Sequence, residues 1–148
     1  FALTVFFSIG IFMTYIGGLL GDKYGPIKII RLSLLIWLPS MFLLTQVPEF
    51  SVTIMMPLAY LILLMIGAAK AISYSPVIVL GQTYLAKSIG FASGITLGVS
   101  QTIGGIIAPV VGNLADTYSL PAAMMTLVPF LIVGLVASLL LKDPKKLQ

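Results

Sequence analysis

One lysine stands inside a long apolar stretch of this sequence, where a charge is unexpected. Lys70 lies within segment 52–80, and Tyr74 follows four residues later, a spacing that makes two side chains neighbours on a helix. Tyr60, ten residues before Lys70, lies about 80° round the helix from it, at roughly 100° per residue. An ammonium group beside two phenols favours binding of an anionic or polar solute.

A second interpretation of Lys70 remains open. Counting about 20 residues from the start of its segment places Lys70 near a membrane interface, where a long side chain extends its charge into water. The tilt of Cα–Cβ bonds toward the helix N-terminus opposes this extension. The sequence alone does not choose between a solute contact and an interfacial lysine.

Two further polar side chains are candidates for contact with a solute. Gln101 lies near the middle of apolar segment 91–113, and its amide requires partners because an unpaired amide in apolar surroundings costs several kcal/mol. A hydrogen bond to another helix is one role for Gln101, and solute contact is the other. Tyr15 shares one face of the first segment with Thr4 and Ser8, a face suited to a watery cavity, although small hydroxyls also bond their own backbone.

Groups that perform catalysis are scarce in this chain. It contains no His and no Cys, and its four carboxylates lie at the ends of apolar segments: Asp22, Glu49, Asp116 and Asp143. We therefore expect no enzyme, no metal site and no cofactor. If protons drive the protein, the titrating residue should lie outside residues 1–148.

Five apolar segments must position these residues, over 1–20, 29–46, 52–80, 91–113 and 121–141. Each is close to or longer than the roughly 20 residues that a helix needs to cross a bilayer. Apolar residues make up 59% of the chain and charged ones 8%, far from the 25% charged of soluble domains. The runs do not alternate as barrel strands do, so we predict an all-α integral membrane protein with five transmembrane helices. Prolines 39, 57, 76, 109 and 129 are predicted to kink these helices rather than to end them.

Basic residues follow the links between segments in an alternating pattern. Lys23, Lys28 and Arg31 flank the first link and Lys87 lies in the third, while residues 47–51 and 114–120 contain neither Lys nor Arg. Three further lysines lie in the tail, at 142, 145 and 146. By the positive-inside rule we place the first link, the third link and the tail in the cytoplasm, in a multi-pass cell (plasma or inner) membrane. This distribution favours a lipid partner over nucleic acid, despite the net charge of +4.

The first link has a recognisable spacing of Gly and charged residues. Its sequence from Gly18 to Lys28 is GLLGDKYGPIK. This resembles the loop signature G-x-L-A-D-R-x-G-R-R of the major facilitator superfamily, matched at Gly18, Leu20, Asp22, Lys23 and Gly25. In its weakened form it is similar to the copy between helices 8 and 9. The resemblance implies a six-helix bundle of which this chain supplies helices 8–12, with the N-terminal half missing, and a conformational-switch loop in which Asp22 braces a helix start in the opposite bundle.

The fourth segment carries a row of small residues. Small residues and a proline recur there at helical spacing, with Gln101 on the same arc: Gly94, Gly98, Gly105, Pro109 and Gly112. Such a row permits close helix packing. The run from Gly104 to Gly112 resembles the superfamily pattern G-x-x-x-G-P-x-x-G, and this likeness implies a face that also slides during transport.

A narrower likeness runs from Tyr74 to Tyr118 and is to fosmidomycin-resistance-type efflux proteins. It rests on SPVIVLGQ at 75–82, on IGFASG at 89–94 and on Leu97-Gly98, with Thr83 in place of an acidic residue. The resemblance implies a secondary active transporter that exports a drug (antibiotic resistance) or a small polar or anionic solute by alternating access. The alternatives are an uptake transporter for a small metabolite and a truncated, non-transporting membrane scaffold.

Overall fold

The computed structural model describes residues 2–46 and 52–141, with side chains from 8 to 46 and from 57 to 141. Glu49, Thr4 and the lysines at 142, 145 and 146 therefore lie outside the described residues and side chains, as do the second link and the tail. The described chain forms six α-helices: α1 (Ala2–Tyr24), α2 (Pro26–Gln46), α3 (Val52–Tyr84), α4 (Ile89–Thr117), α5 (Leu120–Met125) and α6 (Val128–Leu140).

Four helical stretches of the described chain are long and apolar enough to cross a membrane: Pro26–Gln46, Pro57–Tyr84, Ala86–Thr117 and Leu120–Leu140. The helix α1, with 23 residues, occupies the first apolar segment. The all-α membrane fold predicted from the sequence is confirmed. Helices are favoured because each segment satisfies its own backbone hydrogen bonds, whereas lipid tails offer no hydrogen-bond partners.

The prolines behave in two ways. The helices continue through Pro39, Pro57, Pro76 and Pro109, as predicted. The prediction for Pro129 is wrong, because that residue stands in the first turn of α6. The ring lacks the N–H that a first helical turn leaves unpaired anyway, so the proline begins a helix and the apolar segment 121–141 divides into α5 and α6.

The first link is shorter than residues 21–28, which separate the first two predicted segments. Helix α1 continues through Asp22 and Lys23 to Tyr24, and α2 begins at Pro26. Gly25 alone joins them, with φ of 96°, and its N–H donates to the carbonyl of Gly21 at 2.9 Å. A glycine with positive φ after the last helical residue, followed by proline, is a common way to end one helix and begin the next.

Helix α3 lies between α1 and α2 and packs on both. Met41 of α2 and Ile62 and Ile66 of α3 form one buried cluster, against which Trp37 packs. Ile27 and Ile30 near the start of α2 form another with Leu80 near the end of α3. Since the start of α2 meets the end of α3, the first and third links lie at the same end of the bundle.

Arg31 fixes the end of α6 at this same end of the bundle. Its guanidinium donates to the carbonyl oxygens of Ser138 at 2.8 and 3.0 Å, and of Leu139 and Leu141 at 3.3 Å. The last carbonyls of a helix lack intrahelical partners and carry partial negative charge. Arg31, 107 residues away in the sequence, therefore caps α6 and ties it to α2.

Helix α4 contrasts with the others because its apolar window is not buried by any described part of the chain. It meets α3 mainly near the third link, where Gln82 Nε2 donates to Ser93 Oγ at 2.9 Å. A Cβ placed on Gly81 would lie 2.6 Å from Thr96 Oγ1, so any larger residue at this close approach of the two helices would require the Thr96 side chain to shift.

Candidate functional site

A cavity of about 320 Å³ lies between α1 and α3. Lys70 and Tyr74 of α3 border it, together with Gly10 and Thr14 of α1. The Thr14 hydroxyl donates to the carbonyl of Gly10 at 2.8 Å, which leaves its oxygen lone pairs available as acceptors. Lys70, Tyr74 and Thr14 are thus the polar residues among its otherwise apolar lining.

The glycines of α1 bring the two helices of this cavity together. A Cβ placed on Gly17 would overlap the Ile72 carbonyl and lie 2.7 Å from Ile72 Cα, and one on Gly21 would lie 3.2 Å from Pro76 Cγ. Gly17 and Gly21 are four residues apart and share one face of α1. Gly17 was not among the residues singled out from the sequence, although its small-xxx-small spacing with Gly21 is a signal for close helix packing.

The ammonium group of Lys70 has no hydrogen-bond or ion-pair partner among the described residues. The described carboxylates, Asp22 and Asp116, are exposed and lie in the last turns of α1 and α4. The Lys70 side chain is itself exposed in the described chain. In the described chain, the charge of Lys70 is therefore available to an anionic ligand.

The other sequence candidates do not join this cavity. Tyr15 is 69% exposed and Tyr60 49%, and neither borders it. Gln101 is exposed on α4 and makes no hydrogen bond to a described residue. Of the five candidates, Lys70 and Tyr74 border this cavity, and contact of any of the five with a solute stays a prediction.

The small-residue row of α4 lies open. No described atom outside the helix backbone lies within 4 Å of a Cβ placed on Gly94, Gly98, Gly105 or Gly112. Gly94 and Gly98 border a groove of about 460 Å³ on the helix surface. No described helix packs on this row, so its predicted packing role requires a partner beyond the described residues.

The residues of the proposed switch loop lie around the α1–α2 junction. Gly18 approaches Ser75 of α3, with 3.2 Å between a Cβ placed on Gly18 and Ser75 Oγ. Asp22 and Lys23 are exposed, and Lys23 Nζ lies 5.3 Å from the centroid of the Tyr24 ring. The carboxylate of Asp22 stands in the last turn of α1, where the helix dipole disfavours an anion.

Comparison with known proteins gives the family of the chain. Residues 1–148 match the family model described as Major Facilitator Superfamily. The chain belongs to the major facilitator superfamily. It is therefore a multi-pass membrane protein from a family of transporters, and the superfamily assignment made from its loop signature is confirmed.

One curated relative is similar over nearly the whole chain. It is described as an uncharacterized MFS-type transporter, YfnC, of Bacillus subtilis (strain 168), and is 33% identical over 141 residues, which are 95% of this chain and 33% of the relative. The chain thus spans about one third of the length of this relative. No solved structure gives a significant match.

Proposed function

We propose that this chain is the C-terminal half, without its first helix, of a secondary active transporter that exports a drug or a small polar or anionic solute by alternating access. The observation that carries the proposal is Lys70, an unpaired cation beside Tyr74 in a cavity between two helices. An anionic solute supplies the counterion that the described chain does not. The limited likeness to fosmidomycin-resistance-type proteins favours export over uptake.

The substitution Lys70→Ala in the complete transporter tests this proposal. A hydrogen bond to a charged group contributes about 1.5–3 kcal/mol, so transport of an anionic substrate should fall by roughly 10- to 100-fold. Cells with and without the complete gene are first compared for susceptibility to a broad solute panel, and efflux of the responding solutes is then measured. Lys70→Arg should retain part of the activity because the positive charge remains.

Lys87→Ala is the matched control, since Lys87 is an exposed lysine of the third link and does not border the cavity at Lys70. Equal efflux by the Lys70→Ala and wild-type proteins would exclude Lys70 as a substrate contact. Unchanged susceptibility and unchanged efflux for every solute of the panel would favour the scaffold alternative. Accumulation of a solute that depends on the gene would favour the uptake alternative.

Asp22 is proposed to brace a helix start in the opposite bundle. Because it stands exposed in the last turn of α1 without a described ion-pair partner, an N-terminal helix dipole from elsewhere in the protein would stabilise it. Asp22→Asn should lower the transport rate by about tenfold or more while membrane insertion is unchanged, measured by efflux and by the amount of protein in isolated membranes.

Asp116→Asn provides the control for this variant. Asp116 is also exposed and also lies in the last turn of its helix, so it shares the unfavourable dipole without the proposed brace. We expect it to transport normally. Normal transport by Asp22→Asn would remove the bracing role.

Proton coupling is proposed to reside outside residues 1–148. The spans contain no carboxylate and no His, the usual groups of a proton relay. The number of protons moved per substrate molecule by the complete transporter should stay unchanged in every variant of this chain that still transports. Loss of coupling through changes confined to residues 1–148 would contradict this proposal.

A further inference from the structure

Helices α1 and α3, which enclose the cavity at Lys70, are not equally far apart along their length. Gly10 and Gly17 of α1 are seven residues apart, which at about 100° per residue places both on one face. A Cβ placed on Gly17 would overlap the carbonyl oxygen of Ile72 and lie 2.7 Å from its Cα, whereas no described atom outside the helix backbone lies within 4 Å of one placed on Gly10. The two helices thus form a wedge that opens from Gly17 towards Gly10.

The cavity occupies the open part of this wedge. Gly10 and Thr14 border it from α1, and Gly67 and Ala71 border it from α3. Seven residues correspond to about 10.5 Å along a helix, so the cavity begins within two turns of the closest contact. Its volume of about 320 Å³ lies at the lower end of the roughly 300–1,000 Å³ typical of small-molecule sites, and a small change in helix separation therefore matters.

Pro76 shapes the surface of α3 at the closed end of the wedge. A proline lacks the N–H that would otherwise bond the carbonyl four residues earlier, which here belongs to Ile72. The hydrogen that Gly17 carries in place of a Cβ lies against this carbonyl oxygen, as in Cα–H···O contacts between helices. One turn further along α1, a Cβ placed on Gly21 would lie 3.2 Å from Cγ of the buried Pro76. Two successive turns of α1 therefore rest directly on the proline-containing turn of α3.

We propose that the contact of Gly17 with the Ile72 carbonyl sets the width of the cavity, and thereby the largest solute that it admits. Gly17 and Gly21 are positioning residues, because neither borders the cavity and each acts through the distance between α1 and α3. The consequence for solute size rests on the proposed function, whereas the width is measurable without transport. A larger residue at position 17 or 21 widens the wedge, and a larger residue at position 10 fills it.

Thiol labelling of the complete transporter measures this width. Cysteines outside residues 1–148 are replaced, and Thr14→Cys then supplies the thiol in the cavity, because the chain itself contains no Cys. Reaction rates with methyl methanethiosulfonate and with the bulkier benzyl methanethiosulfonate are compared with those at Phe12→Cys, an exposed position that does not border the cavity. Relative to position 12, the benzyl reagent should be excluded at position 14 by roughly tenfold, the low end of size discrimination in a binding pocket.

Three glycine variants change the width in different directions. Gly17→Ala should lower the exclusion of the benzyl reagent to about twofold, because its methyl group forces the helices apart. Gly21→Ala should give an intermediate value, since its methyl group meets a side-chain ring at 3.2 Å and not a backbone. Gly10→Leu should raise the exclusion above that of the unmodified protein by filling the cavity.

Gly134→Ala is the matched control. A Cβ at this position of α6 makes an ordinary contact of 4.0 Å with Leu34 Cδ2 and does not border the cavity, so the exclusion should be unchanged. The amount of protein in isolated membranes establishes that each variant is inserted. The mild Gly21→Ala change provides the test should Gly17→Ala fail to insert.

The same variants test solute size once the susceptibility panel has identified a transported solute. For a larger homologue of that solute, Gly17→Ala should lower the KM relative to the KM of the solute itself by roughly fivefold. A general loss of stability reduces the amount of active protein for both homologues equally, so the ratio of the two KM values separates positioning from destabilisation. Gly134→Ala should leave this ratio unchanged.

Two results would overturn the inference. Equal exclusion of the benzyl reagent in Gly17→Ala, Gly21→Ala and Gly134→Ala would mean that the contact does not set the width. Equal reactivity of positions 14 and 12 towards both reagents would mean that the cavity does not limit size at all. Either result, combined with loss of anion efflux in Lys70→Ala, would leave the proposed function standing. Graded exclusion in a protein that transports no solute would support this inference on cavity width and contradict the proposed function.

Discussion

Arg31 and Lys70 differ in whether the described chain supplies a hydrogen-bond partner for their positive charge. Arg31 donates to carbonyl oxygens at the end of α6, with a shortest distance of 2.8 Å, so its charge is satisfied within the chain. Lys70 is exposed beside the cavity between α1 and α3, and its ammonium group has no partner among the described residues. The buried hydroxyls of Ser33 and Ser138 resemble Arg31, because each donates to a carbonyl of its own helix. Lys70 differs from the other exposed lysines in its position within the apolar segment 52–80, and this position makes it a binding candidate.

The capping role of Arg31 predicts a loss of stability for Arg31→Gln. Hydrogen bonds to charged groups contribute about 1.5–3 kcal/mol, and the free energy of unfolding should fall by about that amount. The free energy of unfolding of Arg31→Lys should lie between those of the original chain and of Arg31→Gln, since an ammonium group keeps the charge but lacks the guanidinium fork. The measurement is denaturant unfolding of the chain in detergent, followed by helical circular dichroism.

Lys28→Gln controls for the loss of a positive charge near the start of α2. Lys28 is exposed and contacts no described carbonyl, so its replacement should leave the free energy of unfolding within about 0.5 kcal/mol of the original. Equal stability of Arg31→Gln and Lys28→Gln would contradict the capping role.

At the level of elements, α3 packs on both α1 and α2, whereas α4 meets α3 mainly near the third link. The glycines of α1 meet the backbone and Pro76 of α3, and α2 packs on another part of α3. Spacing in the sequence did not distinguish these glycines from the row on α4, since both recur at intervals of a helical turn. Only the fold shows that Gly17 is in contact and Gly98 is open, because contact depends on where the partner helix lies.

The contact of α1 with α3 predicts that Gly17→Ala is destabilising. Its methyl group would overlap the Ile72 backbone, so the helices must separate, at a cost of about 1–3 kcal/mol typical of overpacking. The free energy of unfolding in detergent measures the effect.

Gly10→Ala is the control on the same helix, because no described atom outside the helix backbone lies within 4 Å of its Cβ position. Since alanine favours helices over glycine by up to about 1 kcal/mol, this variant should be as stable as the original chain or slightly more stable. A Gly17→Ala chain as stable as Gly10→Ala would show that the two helices are not in close contact.

At the level of the whole molecule, the first link, the third link and the end of α6 lie at one end of the described helices. The Ile27–Leu80 contact places the first and third links together, and Arg31 adds the end of α6. The sequence predicted this common side from the alternation of lysines, and the packing of the helices agrees with it. Which face of the membrane this end occupies stays a prediction of the positive-inside rule.

Cysteine labelling tests that orientation, and the chain offers a clean background because it contains no Cys. Lys23→Cys and Lys87→Cys should react with a membrane-impermeant maleimide only in inverted vesicles. Ser119→Cys, at the opposite end of α4, should react in intact cells. Reaction of residues 23 and 87 from opposite faces would contradict the fold itself, and the reverse pattern for all three would contradict only the predicted orientation.

The amino-acid sequence by itself determined the membrane helices, the common side of the basic links and the superfamily. Hydropathy and backbone hydrogen bonding in lipid act within one segment, so they are readable from local composition. The division of the last apolar segment into α5 and α6, with Pro129 in the first turn of α6, could not be predicted from the sequence, since proline both kinks helices and begins them. The tertiary structure alone decided the partners of Gly17 and Arg31 and the cavity that Lys70 borders, because residues distant in sequence meet only through helix packing.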